Sequence, residues 1–148
     1  MLLAYSLLGG SALFMIYEDM RKQTIPLSGL VLFIAATLLN QFLEGSLEGF
    51  WSAGVIALVF ISCQGLFYLF KREPAMGWGD LLLSPFCGLW LYLNELPSFF
   101  LAVGFMALLM GILWRYRWGM RTFPMAPAIL FGLGIVFLIR CLFMMNGI

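Results

Sequence analysis

The stretch FWSAGVIALVFISCQGLFYLF, residues 50–70, runs 21 residues without a charge. A helix needs about 17–25 predominantly apolar residues to cross the hydrocarbon core of a bilayer. This run meets that length alone, so it is read as a membrane span. Five more apolar blocks flank it: Met1–Tyr17, Ser28–Leu43, Leu81–Leu93, Pro97–Trp114 and Pro124–Met145. The second and fourth of the six blocks are short, and each must borrow flanking residues or sit in a thinned bilayer.

Composition agrees with the blocks. The chain is 148 residues, 64% hydrophobic and 10% charged, and its mean hydropathy is +1.03. Soluble domains are typically about half apolar and a quarter charged. The expectation is an all-α polytopic membrane bundle of six transmembrane helices, forming one domain over residues 1–148. No basic tail or patch points to nucleic acid. There is no histidine, which excludes histidine metal sites, histidine bases and Ser-His-Asp triads. Cys63, Cys87 and Cys141 stand far apart inside apolar blocks and read as packing residues. No metal and no cofactor is expected.

The polar connectors set the orientation. Arg21, Lys22, Lys71, Arg72, Arg115, Arg117 and Arg121, seven of the eight basic residues, fall in the first, third and fifth connectors. The second and fourth carry only Glu44, Glu48 and Glu95. Cytoplasmic loops carry the excess of Lys and Arg, so the N- and C-termini are expected outside. Arg140, near the end of the last block, is expected to snorkel outward. Tyr17, Trp51, Tyr68, Trp78, Tyr92, Trp114, Tyr116 and Trp118 are expected in an interfacial belt. The first block has no basic residue before it, and its charges follow it, so it reads as a retained span and not a cleaved signal.

Met76-Gly77-Trp78-Gly79-Asp80 opens the fourth block. A lone carboxylate at the mouth of an apolar span is costly to bury and points to a working site. The two glycines are expected to let the backbone turn tightly and approach closely. The bland alternative is that Asp80 is an N-cap for the helix that follows. The topology supplies a partner. Block one ends at Glu18-Asp19 on the side where block four begins, so Asp19 and Asp80 face the same side at similar depth. For Asp19 the bland alternative is a helix-end charge paired with Arg21 or Lys22. Two carboxylates in a poorly solvated place share a proton. One can then take a proton from water while the other protonates a carbonyl oxygen.

At these residues a resemblance enters. Ile16-Tyr17-Glu18-Asp19-Met20-Arg21-Lys22-Gln23-Thr24-Ile25-Pro26 resembles the first motif of the type IV prepilin peptidases. Met76-Gly77-Trp78-Gly79-Asp80 resembles their second, the Gly-x-Gly-Asp motif of membrane aspartyl proteases. Phe123–Gly132, with Pro124-Met125-Ala126-Pro127, is similar to their third segment. Three positions depart from the family pattern. Leu82 stands where lysine is frequent, Leu27 where asparagine often follows Ile-Pro, and Met125-Ala126 where Phe-Gly is usual.

The resemblance implies a membrane aspartic endopeptidase of the bacterial cytoplasmic membrane, its site facing the cytoplasm. It would cleave the short basic leader of type IV prepilins or pseudopilins. It implies Asp19 and Asp80 as catalytic residues, with Gly77, Gly79, Ile25, Pro26, Pro124 and Pro127 in support. Glu18 and Glu73 are weaker candidates to greet the basic leader, and the basic connectors are expected to meet lipid headgroups. The chain has no CxxC pair, so the methyltransferase activity of the bifunctional members is not expected. Two other classes stay open: an inactive assembly subunit that keeps the fold, and a small transporter using the two aspartates as an ion site.

Overall fold

The computed structural model describes residues 2–44, 47–72, 76–118 and 124–145. Six α-helices follow in order: α1 (Leu2–Lys22), α2 (Leu27–Glu44), α3 (Glu48–Lys71), α4 (Trp78–Gly88), α5 (Leu96–Trp118) and α6 (Ala126–Met145). A single 3-10 turn, Leu93–Glu95, precedes α5, and no strand occurs among the described residues. The chain is a multi-pass membrane protein. Among the described residues, α2, α3, α5 with its preceding turn, and α6 are each long and apolar enough to cross a bilayer.

The remaining two helices, expected as spans, do not meet both conditions among the described residues. α1 has the length, but Glu18 and Asp19 fall within it. α4 has only 11 residues, a rise of about 16 Å against a hydrocarbon core of about 30 Å. It is a half-span. Pro85 lies inside it and cannot donate to the Leu81 carbonyl one turn back. The Ser84 hydroxyl donates to that carbonyl instead, at 3.2 Å.

The last carbonyls of α4 are taken locally, Pro85 by the Leu89 N–H, Cys87 by the Trp90 N–H and Gly88 by the Leu91 N–H, whereas the carbonyls just beyond the helix are met by side chains of its neighbours. Gln41 of α2 donates its side-chain amide to the Leu89 carbonyl. Arg140 of α6 donates to the Trp90 carbonyl at 3.0 Å. Arg140 also makes an ion pair with Glu95, the two side chains being only 19% and 15% exposed. The expectation that Arg140 snorkels outward is therefore corrected. Its guanidinium stays in the protein because the end of α4 and the Glu95 carboxylate both need it.

The helices pack as three sequential hairpins, α1 with α2, α3 with α4 and α5 with α6, and α6 also touches α1 and α4. Small residues allow the close approaches, as is usual between membrane helices. A Cβ on Gly88 would lie 2.6 Å from the Ala53 Cα, and one on Gly132 would lie 2.5 Å from Val103 Cγ2. Met15, Phe33, Ile56, Leu83, Phe99 and Ile129 fill the interior without measurable exposure. Large apolar side chains also cover the outside, among them Phe42, Leu58, Phe70, Leu101 and Leu138. So much exposed apolar surface is explained by lipid contact. Of the expected aromatic belt, Tyr17, Trp51, Tyr68, Trp78, Tyr92 and Tyr116 are exposed, but Trp114 is buried. Cys87 is buried as expected, whereas Cys63 and Cys141 face outward.

Candidate active site

Asp19 lies one turn before the end of α1. That helix stops because Gln23 adopts a left-handed conformation, φ 53°, with its N–H on the Asp19 carbonyl at 2.8 Å. A non-glycine residue there costs about 1–2 kcal/mol. Ile25-Pro26 then turns the chain back, and α2 starts at Leu27. The turn places Ile25 against the backbone of Gly79. A Cβ on Gly79 would come within 3.1–3.3 Å of three Ile25 side-chain atoms. The Ile-Pro segment and the Gly-x-Gly-Asp segment are therefore in direct contact.

Gly77 and Gly79 play different parts. Gly77 is the N-cap of α4 with φ −68° and ψ 154°, a conformation open to any residue. Among the described residues, a Cβ there would meet only Asp80 Oδ2, at 3.4 Å. The close approach foreseen for both glycines holds at Gly79 alone, and the tight turn is not required at Gly77. Asp80 is not the N-cap either. It stands three residues further, where an acidic side chain can reach back to the N-cap amide. Its carboxylate lies beside Gly77, whose N–H favours the charged form.

The third segment closes the site. α6 begins at Ala126, and Pro124 and Pro127 beside it are buried. Helix N-termini present N–H groups without partners in the helix. Pro127, in the first turn, has none to offer, and the Ala126 N–H favours the charged form of the Asp19 carboxylate. The start of a helix also favours a negative charge, by about 0.3–1 kcal/mol. Asp19 thus faces the segment carrying Pro124 and Pro127, and Asp80 its own N-cap.

Both carboxylates are buried, at 4% and 9% exposure. Among the described residues, Asp19 Oδ2 and Asp80 Oδ1 find no hydrogen-bond partner. Each aspartate therefore keeps one buried oxygen without a partner among the described residues. Asp19 and Asp80 also lie outside the four helices long enough to span. Burial raises the Asp80 pKa first, the nearby Asp19 carboxylate raises it further, and the Gly77 N–H lowers it, leaving it at about 7. Asp19 is raised by burial and lowered by the Ala126 N–H. Asp80 thus keeps its proton to a higher pH than an ordinary carboxylate, because it is buried and because Asp19 is near.

The other expected site residues are arranged as follows. Glu18 is engaged by Lys22 at 2.7 Å, so Lys22 pairs with Glu18 and not with Asp19. Glu73 lies outside the described residues. Leu82 is 54% exposed. Among the described residues no three acidic, histidine or cysteine side chains come together as a metal set. Two partners were not foreseen from the sequence. The Ala126 amide could have been found from the Pro-x-x-Pro segment opening a helix. Gln64, a lone carboxamide in the apolar run of α3, bonds the Met76 backbone at 3.1 Å.

The sequence profile of the type IV leader peptidase family matches residues 6–112, a span that includes Asp19, Ile25-Pro26 and Met76–Asp80. No curated protein and no solved structure matches the chain.

Proposed function

This chain belongs to the type IV leader peptidase family, and we propose that it is an aspartic endopeptidase that removes the basic leader of type IV prepilins or pseudopilins. The observation that carries the reading is the pair of buried carboxylates at the meeting of three segments, each with one oxygen free of hydrogen bonds.

In this reading Asp19 is the base and Asp80 the acid. The Ala126 amide at the start of α6 favours the charged form of Asp19, whereas Asp80, at about 7, keeps its proton near neutrality. Asp19 takes a proton from water as the water oxygen attacks the scissile carbonyl carbon. Asp80 gives its proton to the carbonyl oxygen. The tetrahedral adduct then collapses, the C–N bond breaks, and the proton held by Asp19 passes to the leaving nitrogen. Asp80 recovers its proton from the adduct hydroxyl, so both groups end as they began. Gly79 serves by letting Ile25 close over the α4 entrance, and Gly77 by its amide.

The charge pattern supports a cytoplasmic site. The aspartates lie at the end of the bundle where Arg21, Lys22, Lys71, Arg72, Arg115 and Arg117 cluster in sequence, and Glu44 and Glu95 belong to the connectors of the other end. Termini outside and a location in the bacterial cytoplasmic membrane follow from the same reading. Glu18 and Glu73 remain the proposed contacts of the basic leader, and the basic connectors those of lipid headgroups.

The test is product mapping. The purified protein is reconstituted in liposomes with a prepilin, and the products are identified by mass. The expected result is one cut that separates the leader from the mature chain. An intact prepilin, in liposomes where an active leader peptidase releases the leader, refutes the reading.

A further inference from the structure

We propose that Gln64 is a positioning residue of the site, fixing the peptide that holds Asp80; this inference rests on the aspartic-peptidase reading. Gln64 lies on α3, within an otherwise apolar run, and its carboxamide faces the Met76 backbone with both ends. Its Oε1 accepts from the Met76 N–H at 3.1 Å, and its Nε2 donates to the Met76 carbonyl at 3.4 Å. A primary amide carries a donor and an acceptor side by side, which matches the two polar groups of one residue's backbone.

The second bond is the informative one. The Met76 carbonyl and the Gly77 N–H belong to one planar peptide unit. Fixing the carbonyl on one side fixes the direction of the N–H on the other, and Gly77 stands against the Asp80 carboxylate: a Cβ there would lie 3.4 Å from Asp80 Oδ2, and its N–H favours the charged form of Asp80. The order is Gln64 amide, Met76–Gly77 peptide, Asp80 carboxylate. Hydrogen bonds in such a chain polarise one another, so the carbonyl bond also makes the Gly77 N–H a better donor. The need for a tether is clear from the backbone. Gly77 is an N-cap without a side chain to bond the first turn of α4, so its own plane must be held from outside. A carboxamide in a span would otherwise favour association with any polar partner; here both its groups are committed to the peptide next to the catalytic residue. Gln64 does not touch the reacting atoms and acts through Met76–Gly77.

Two variants separate the roles. Gln64→Met keeps an unbranched side chain of similar length and suits an apolar span, so it is expected in the membrane at normal level and with unchanged thermal stability. It removes both bonds. Gln64→Glu keeps the acceptor for the shorter bond. Misplacing a reacting group by about 1 Å can cost about a hundredfold. The expected result for Gln64→Met is a fall in kcat of about tenfold to a hundredfold with KM within about twofold. Amide exchange at Met76 and Gly77 is expected to be faster, and Gln64→Glu is expected to lie between wild type and Gln64→Met in both readouts. Unchanged exchange at Met76 and Gly77 in Gln64→Met overturns the inference, whatever the activity. Unchanged kcat with faster exchange overturns it also. The exchange readout needs no substrate, and Asp80→Asn in the same cleavage assay reports on the catalytic reading separately.

Discussion

Replacing Asp80 by asparagine should stabilise the protein, and only above acidic pH. The side chain is 9% exposed, with Oδ1 unpartnered, and the Asp19 carboxylate is near enough to raise its pKa. The folded protein holds the Asp80 proton up to about 7, against an ordinary value of 3.8. Between those values the folded state binds more protons than the unfolded state, so stability falls as pH rises through that window and levels off above it. At about 1.4 kcal/mol per pH unit, the full cost is on the order of 4 kcal/mol. The asparagine side chain keeps the shape and never ionises. The gap in unfolding free energy should be near zero at pH 4 and grow to about 4 kcal/mol by pH 8, which corresponds to roughly 10 °C in Tm for a chain of this size. Thermal unfolding of both proteins in detergent from pH 4 to 8 reads it directly. A gap that does not change with pH, or a variant less stable than wild type at pH 8, would refute the claim that Asp80 is buried beside a second carboxylate.

Further outcomes follow from the same geometry. Cleavage should fall about tenfold per pH unit above about 7, where Asp80 loses the proton it donates; a rate flat to pH 9 removes Asp80 as the acid. Gly79→Ala pushes a methyl group against Ile25 and should cost about 1–3 kcal/mol of stability and most of the activity, while Gly77→Ala should change stability by under about 0.5 kcal/mol. Equal effects of the two would contradict the Ile25 contact. Arg140→Met leaves the Trp90 carbonyl without the guanidinium and the Glu95 carboxylate without its counter-charge, with the Tyr92 N–H still donating to it, and should cost about 3 kcal/mol. Adding Glu95→Gln should recover part of that loss; no recovery would mean that the ion pair is not what Arg140 supplies.

The sequence made the helical class legible because long uncharged runs such as Phe50–Phe70 admit no other reading. The pairing of Asp19 with Asp80 was legible too, since charge counting alone puts the ends of blocks one and four on the same side. The length of α4 was not. Leu89–Leu93 remains apolar in sequence, so the helix seemed free to continue. It ends at Gly88 in tight local turn bonds, and Gln41 and Arg140 arrive from other helices to take the Leu89 and Trp90 carbonyls beyond it. Arg140 was read as a snorkelling charge for the same reason, since Glu95 lies 45 positions away along the chain. The glycine pair read as two equivalent hinges, but only the fold shows that Ile25 rests on Gly79 and leaves Gly77 open. The backbone part of the site was hidden as well, because a sequence displays side chains and the groups that favour the charged forms of both aspartates are the amides of Ala126 and Gly77.

The most direct test of the central claim is prepilin cleavage by Asp19→Asn and Asp80→Asn, each purified, folded and reconstituted beside the wild type. The account predicts that wild type releases the leader and that neither variant yields product above background. Cleavage at the wild-type rate by either one would contradict it.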